Sequence, residues 1–388
     1  MGGPFVCPVC GNSDPRLIGI KNGKPYCRKC IIFCGKEAPP FLPCPKEAPL
    51  QLAYSLSQEQ HVLSQRIIYN FVHGIDTLVY AVCGSGKTEI SYGVLSYAME
   101  RGMSVGFALP RRDVVIELHQ RLASAFPKNR IVAVYGGHNS VLDGDCLVLT
   151  THQLFRYPKY FDLLVMDELD AFPFHGSDVL EAMFYRALRG HCLMMSATPS
   201  KAIVSLFKSP GHEMLTLHTR FHKHPIPVPT VKILHNPVKI LFLISKLRDF
   251  RKKKKPCFVF VPTISECETV FRVLRLFVPG GSFVHSKKPD RSRVISDFKK
   301  GRFLYLVTTA VLERGITVKN LQVIVYDAHS EIYNAASLIQ IAGRAGRKAD
   351  APKGEVYFVA EKEKPFLAAA VKEIEYCNTF LQSVSPPR

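Results

Sequence analysis

The stretch Ala81-Val-Cys-Gly-Ser-Gly-Lys87-Thr88-Glu89 lies between an apolar run (TLVYAV, 77–82) and a segment with helical spacing (SYGVLSYAME, 91–100). A strand that turns through the small residues Gly84, Ser85 and Gly86 into a helix gathers backbone N–H groups and a helix N-terminus around one point. That arrangement is an anion site ready for nucleotide phosphates. Lys87 then reaches the β- and γ-phosphates, and Thr88 supplies a hydroxyl for a magnesium ion at the first turn. The full pattern has Gly where Ala81 stands, so the match is to its second half. Small-residue loops beside a lysine also arise by chance, and the partners further along decide the reading.

Downstream, short apolar runs alternate with helical segments: VGFAL (105–109), IVAVY (131–135), CLVLTT (146–151), DLLVMD (162–167) and CLMMSA (192–197). Near-continuous apolar strands spaced by helices predict a parallel sheet covered on both faces. Ligands collect at the carboxyl ends of such strands. Asp167-Glu168 closes one of these runs. The first carboxylate can hold magnesium and the second can orient and deprotonate an attacking water. Acids after a strand also serve as a helix N-terminal charge cluster, but the phosphate loop upstream favours the catalytic reading. Upstream of the loop, Ser57 and Gln60 form the pattern of a capping box ahead of a helix (61–72), a structural role that suffices for both. The position of Gln60 also permits it to read an adenine edge.

Residues 208–237 hold Pro210, Pro225, Pro227, Pro229 and Pro237 among His218, Arg220, His222, Lys223 and His224. This stretch reads as a linker between lobes. Its histidines have no cysteine or carboxylate companions at ligand spacing for a metal site. A second alternating series follows, from TVKIL (230–234) through CFVFV (257–261), LYLVTT (304–309) and VIVYD (323–327) to EVYFVA (355–360), with a closing helix (364–383). It lacks a phosphate loop. Arg251-Lys-Lys-Lys-Lys255 ends a helix in this series and reads as a solvated face, with DNA contact as the alternative. In Gln340-Ile-Ala-Gly343-Arg344-Ala-Gly346-Arg347, two arginines flanked by glycines can approach a ligand closely. Delivered to a phosphate, such guanidinium groups stabilise transition-state charge.

At the other end of the chain, Cys7-Pro-Val-Cys10 and Cys27-Arg-Lys-Cys30 are separated by sixteen residues, within the range for a structural zinc ribbon. Four thiolates close the tetrahedron and leave no open position for catalysis. Unliganded thiols are the alternative, and Cys34 and Cys44 are spare thiols able to replace one ligand. Segment 38–49 (APPFLPCPKEAP) is proline-rich and reads as a semi-rigid linker. Most of the other cysteines (Cys83, Cys146, Cys192 and Cys257) sit singly in apolar runs, which suits buried thiols in a reducing compartment. No apolar run approaches the length of a membrane span, and the N-terminus lacks a signal core, so the reading is intracellular. The chain of 388 residues carries 51 Lys and Arg against 32 Asp and Glu, a formal charge of +19. Such an excess points to a polyanionic partner, nucleic acid before an acidic membrane surface, over a basic surface kept for solubility.

Taken in order, AVCGSGKTE, ALPRRD, TTHQL, MDELD, MSATP, FVFVP, TTAVLERGIT and QIAGRAGR resemble the eight motifs of superfamily 2 helicases, over residues 50–388. The four-cysteine module ahead of the core, DELDAFPF, the RFHKHPIPVP linker and TTAVLERGIT are similar to the ComFA family, the ATPase of DNA uptake in naturally transformable bacteria. In the related PriA helicase, zinc-binding cysteines interrupt the second lobe, and none do so here. The resemblance implies two RecA-like parallel-sheet lobes preceded by a zinc module: 1–49 module and linker, 50–209 first lobe, 210–237 interlobe linker, 238–388 second lobe. It implies that Gln60, Gly315 and Gln340 join Gly84, Ser85, Gly86, Lys87 and Thr88 in binding ATP, and that Asp167 binds magnesium while Glu168 acts on water. It further implies that Arg344 and Arg347 act on the γ-phosphate and that Arg111, Thr151 and Thr308 hold the DNA backbone. Ser196 and Thr198 would couple hydrolysis to lobe movement. The expected function is an ATP-driven single-stranded DNA translocase, cytoplasmic and peripheral at the inner face of the membrane. Its expected partners are competence proteins of the uptake machinery, with a homo-oligomer as a further possibility. The alternatives are a PriA-like replication-restart helicase and a nucleotide-switched nucleic-acid-binding scaffold.

Overall fold

The computed structural model describes residues 5–313, 317–348 and 350–382. The chain divides into two units, Met1–Ala81 with Gly86–Leu217, and Val82–Ser85 with His218–Arg388.

The first unit opens on a small antiparallel hairpin, β1 (Ile18–Lys21) and β2 (Lys24–Cys27). Asn22 and Gly23 turn it, both with positive φ (51° and 72°), the backbone twist that a two-residue hairpin needs. The hairpin carries Cys27 toward Cys7, Cys10 and Cys30, and it is not a free-standing module. Cys7, Cys27 and Cys30 share an apolar cluster with Leu154, Phe155 and Phe184 of the unit's body. Arg156, nearly buried, donates through Nη1 to the carbonyl of Lys36 (2.5 Å), and Ala38 N–H donates back to the carbonyl of Arg156 (2.9 Å). The proline-rich stretch behaves as a strap laid along this unit. Ala48 is buried, its carbonyl accepts from Ser96 Oγ (2.5 Å), and Lys46 pairs with Asp145 (2.9 Å).

The body of the unit follows in the order α1 (Gln58–Val72), β3 (Asp76–Ala81), α2 (Lys87–Ile90), α3 (Tyr92–Glu100), β4 (Val105–Leu109) and α4 (Arg112–Ala125). Next come β5 (Ile131–Val134), β6 (Cys146–Thr150), β7 (Phe161–Asp167), α5 (Asp178–Ala187), β8 (Leu188–Ser196), α6 (Lys201–Leu206) and β9 (His212–Leu217). The capping box expected at Ser57 and Gln60 is formed, and it starts α1 three residues earlier than the apolar pattern suggested. Seven parallel strands among the described residues take the order β5-β6-β4-β7-β8-β3-β9. Inner strands β4 and β6 are buried at every position, because helices cover both faces. β9 lies within the stretch read as linker. Its residues HEMLTL are mostly half-buried, as suits an edge strand, and they pair in register with Asp76–Ala81.

The second unit continues with β10 (Thr230–Ile233), α7 (Val238–Lys252), β11 (Cys257–Phe260), α8 (Ile264–Phe277), β12 (Gly281–Val284), α9 (Arg291–Lys299) and β13 (Tyr305–Thr308). It closes with β14 (Gln322–Tyr326), α10 (Ala335–Ala342), β15 (Val356–Ala360) and α11 (Pro365–Gln382). The six strands form a second parallel sheet in the order β10-β15-β14-β11-β13-β12. Capping boxes start α8 (Thr263 with Glu266) and α10 (Asn334 with Ser337). The basic run Arg251–Lys255 ends α7 as expected: Lys254 takes a positive φ of 52°, and Lys253 pairs with Asp249 at 2.8 Å. Among the described residues no helix is long and apolar enough to cross a membrane.

Candidate active site

Because the first sheet is parallel, β3, β4, β6, β7 and β8 all end on one edge, and the residues singled out there end those strands or follow them. Gly84 and Gly86 both take left-handed φ (83° and 76°), which the tight turn after β3 requires. Gly86 sits at the N-cap of α2, and Lys87 opens the helix. Gln60 reaches this turn from α1. Its Oε1 accepts from Ser57 N (2.9 Å), while a Cβ at position 86 would fall on its Nε2. One side chain thus caps α1 and lies against the phosphate loop.

Lys87 Nζ lies 3.4 Å from Asp167 Oδ1 at the end of β7. Burial pushes the Asp167 carboxyl above its usual range; the Lys87 ammonium opposes the shift and the neighbouring Glu168 adds to it. Glu168 takes a φ of +59°, uncommon for a side chain of its size, and its N–H donates to Asp167 Oδ1 (2.8 Å). The turn is thereby fixed, with Asp167 beside Lys87. Thr88 and Asp167 are the residues that would hold a magnesium ion beside nucleotide phosphates.

Two residues further on, Asp170 joins this strand end to the next. Its Oδ1 accepts from Ser196 Oγ (2.7 Å) and its Oδ2 from Thr198 Oγ1 (2.7 Å), and Thr198 N–H donates to Ser196 Oγ (2.9 Å). The sequence reading assigned Ser196 and Thr198 a coupling role without naming the carboxylate that binds them. The signal is the third acid of MDELD, Asp170. At the ends of β4 and β6, Arg111 is half-buried and Thr151 is fully buried, its hydroxyl unsatisfied by the described residues.

In the second unit Thr308 ends β13 fully buried, its hydroxyl donating to the carbonyl of Thr309 (3.1 Å). Gln340 is nearly buried on α10. Arg344 Nε donates to the carbonyl of Glu313 (2.8 Å), and Arg347 is half-exposed at the end of the same turn. Gly315 lies outside the described residues. Sequence reasoning missed Arg220. It is 1% exposed, and its guanidinium donates to the carbonyls of Gly343 (3.1 Å), Ala345 (3.2 Å) and Gly346 (2.8 Å). Burial lowers its pKa to about 10, so it remains charged at neutral pH.

The sulfurs of Cys7, Cys10, Cys27 and Cys30 all lie within 4.8 Å of one another, with Cys7–Cys30 at 3.4 Å and Cys10–Cys27 at 3.7 Å. A tetrahedron of 2.3 Å zinc–sulfur bonds has edges of about 3.8 Å, so the four thiols fit zinc. The exposed Cys34 and Cys44 are not members of the cluster.

Residues 63–206 match the DEAD/DEAH box helicase family and residues 238–349 the helicase conserved C-terminal domain. Among solved structures, Dbp5 of S. cerevisiae bound to RNA and ADP BeF3 is similar with a TM-score of 0.64, at 17% identity over 85% of this chain and 98% of that one. Helicase Lhr of Mycobacterium smegmatis bound to ssDNA and AMP-PNP is similar with a TM-score of 0.60, at 18% identity over 83% of this chain and 50% of that one. At those identities the likeness is one of fold. The competence protein ComFA of Bacillus subtilis is 31% identical over 98% of this chain and 87% of its own length. That of Streptococcus pneumoniae is 30% identical over 97% and 91%. With nearly full-length likeness joined to a Lys87–Asp167–Glu168 edge and a second parallel-sheet unit, the chain belongs to the ComFA family and is an ATP-hydrolysing, helicase-like enzyme of the competence system.

Proposed function

We propose that this enzyme is a single-stranded DNA translocase that drives DNA import during natural transformation. The observation that carries the proposal is the hydrogen-bonded bridge from Asp170 to Ser196 and Thr198, which ties the turn bearing Asp167 and Glu168 to the end of the neighbouring strand. A change at the acids during hydrolysis then displaces the segment after β8 as well. Gly84, Ser85, Gly86, Lys87 and Thr88 bind the phosphates, Gln60 with Gly315 and Gln340 completes the nucleotide contacts, and Glu168 orients the attacking water. Thr88 and Asp167 would hold magnesium, which would neutralise phosphate charge when bound. Arg344 and Arg347 act on the γ-phosphate, and the four N-terminal cysteines hold zinc. Arg111, Thr151 and Thr308 grip the DNA backbone, so binding carries little sequence information and weakens with salt. The charge of +19 supports a polyanionic partner, and likeness to competence proteins supports a role in the competence system; the proposed place is the inner face of the membrane with other uptake factors, as a monomer or a homo-oligomer.

The test compares ATP hydrolysis with single-stranded DNA, duplex DNA and RNA, alongside a strand-displacement assay. Stimulation by single-stranded DNA without robust unwinding is expected, abolished by Lys87→Ala. Robust unwinding would favour a replication-restart helicase. Absence of stimulated hydrolysis, unchanged by Lys87→Ala, would leave a nucleotide-switched scaffold and sink the proposal.

A further inference from the structure

Arg220 is a buried cation without a carboxylate partner among the described residues, a costly arrangement unless the charge is met by well-placed acceptors. Its acceptors are three carbonyls in one short turn. Nη2 takes Gly343, and Nη1 takes Ala345 and Gly346. These carbonyls lie at the carboxyl end of α10, where the helix dipole favours a cation. They also interleave with Arg344 and immediately precede Arg347. The rest of the turn is equally determined: Gly346 has φ +60° and a Cβ there would run into the carbonyl of Pro352, while His222 Nε2 lies 3.1 Å from the Gly346 carbonyl. Arg220 is itself anchored. Lys223 N–H donates to its carbonyl (2.9 Å), and Asn378 of α11 exchanges two hydrogen bonds with the backbone of Ile226 (2.8 and 2.9 Å).

We propose that Arg220 is a positioning residue for the Gly343–Arg347 turn: its forked guanidinium fixes the backbone on either side of Arg344 and so aims Arg344 and Arg347 at the γ-phosphate. This rests on the reading of those two arginines as γ-phosphate residues. A fork is needed because three carbonyls in different directions must be met from one side chain, and lysine offers a point charge in place of a planar fork. Loss of the fork leaves the turn free to shift by an amount on the order of 1 Å, which in a positioned site lowers turnover by about 100-fold. Arg220 also flanks the loop at Gly84, where a Cβ would lie 3.8 Å from its Nε and whose carbonyl accepts from Phe221 N–H (3.1 Å). Among the described residues the Arg220 guanidinium makes no hydrogen bond to the loop, so the effect on nucleotide affinity is small beside the loss of turnover.

The experiment measures kcat and KM for ATP, with saturating single-stranded DNA, in the full chain carrying Arg220→Lys, Arg220→Ala, Arg344→Ala or Arg347→Ala. Thermal midpoints are recorded in parallel, and methylguanidinium is added to Arg220→Ala. The expected result is a loss of about 100-fold in kcat for both Arg220 variants with KM for ATP within about threefold, and partial recovery of kcat on addition of methylguanidinium but not of an alkylammonium. If Arg220→Ala does not fold, Arg220→Lys carries the same kcat and KM comparison. The inference is overturned if Arg347→Ala or Arg344→Ala lowers kcat while the Arg220 variants do not, or if the Arg220 loss falls on KM and methylguanidinium restores nothing. Unchanged kcat in both Arg344→Ala and Arg347→Ala would instead overturn the assignment of those arginines, on which the inference stands.

Discussion

Replacing Gly86 with alanine tests the phosphate-loop geometry and its tie to α1 together. Gly86 has φ +76°, and an L-residue held in that region costs about 1–2 kcal/mol. The new Cβ would also fall on Gln60 Nε2. Gln60 is nearly buried and cannot swing aside without surrendering the bond from Ser57 N to its Oε1 (2.9 Å), half of the capping box that starts α1. A lost cap contact costs about 0.5–2 kcal/mol. The two contributions give about 1.5–4 kcal/mol, or about 3–15 °C in the melting of a unit of this size. In a Gln60→Ala background the collision is gone and only the backbone cost should remain. The cycle of wild type, Gly86→Ala, Gln60→Ala and the double variant, followed by calorimetric melting of the first unit, should show a coupling of about 0.5–2 kcal/mol. Equal penalties in the two backgrounds, within about 0.5 kcal/mol, would refute the contact between Gln60 and the loop. A Gly86→Ala penalty below about 0.5 kcal/mol would refute the left-handed turn itself.

Asp170→Asn weakens two charge-assisted bonds to Ser196 and Thr198, so hydrolysis without nucleic acid should persist while its stimulation by single-stranded DNA falls about tenfold or more, read from paired ATPase rates. Equal loss in both rates would remove the coupling role. Cys7→Ser should lower bound zinc from about one equivalent and also lower the thermal midpoint of the first unit, because Cys7 shares an apolar cluster with Leu154 and Phe155. Metal content unaffected by that change would defeat the zinc assignment. The Arg66 guanidinium, forked onto Glu213 at 2.9 and 3.0 Å, holds that carboxyl below its usual range, with Asn70 adding to the shift. A folded pKa below the unfolded value of about 4.3 stabilises above that value, and the stabilisation is lost as pH falls through the folded pKa. The wild type should exceed Glu213→Gln by less than about 1 kcal/mol at pH 7, since the pair is partly exposed, and the gap should narrow as pH falls below the unfolded value. A difference in urea midpoint that does not change with pH would contradict this.

The residues that end apolar strands were legible in the sequence because a strand covered on both faces must be apolar until it reaches the edge, so Asp167 and Ser196 mark that edge in the first sheet and Thr308 marks it in the second. The phosphate loop and the cysteine knuckles were legible because their chemistry depends on spacing within a few residues. β9 was not: an edge strand of six mixed residues has neither a continuous apolar run nor a clean alternation, and only pairing with β3 defines it. The proline-rich strap has only the look of a linker in the sequence, because proline content reports stiffness and says nothing of what the segment lies against.

The chain by itself determined two parallel-sheet units, a phosphate loop with its acids, an arginine-bearing turn and a four-thiol cluster, since each is written in local periodicity or fixed spacing. Only the tertiary structure decided that Asp170 grips Ser196 and Thr198, that Arg156 fastens the cysteine hairpin to the first unit, and that Arg220 holds the turn bearing Arg344 and Arg347. Each of these joins groups far apart in sequence, and a side chain's partner across such a distance is set by strand order and register, which no local pattern encodes.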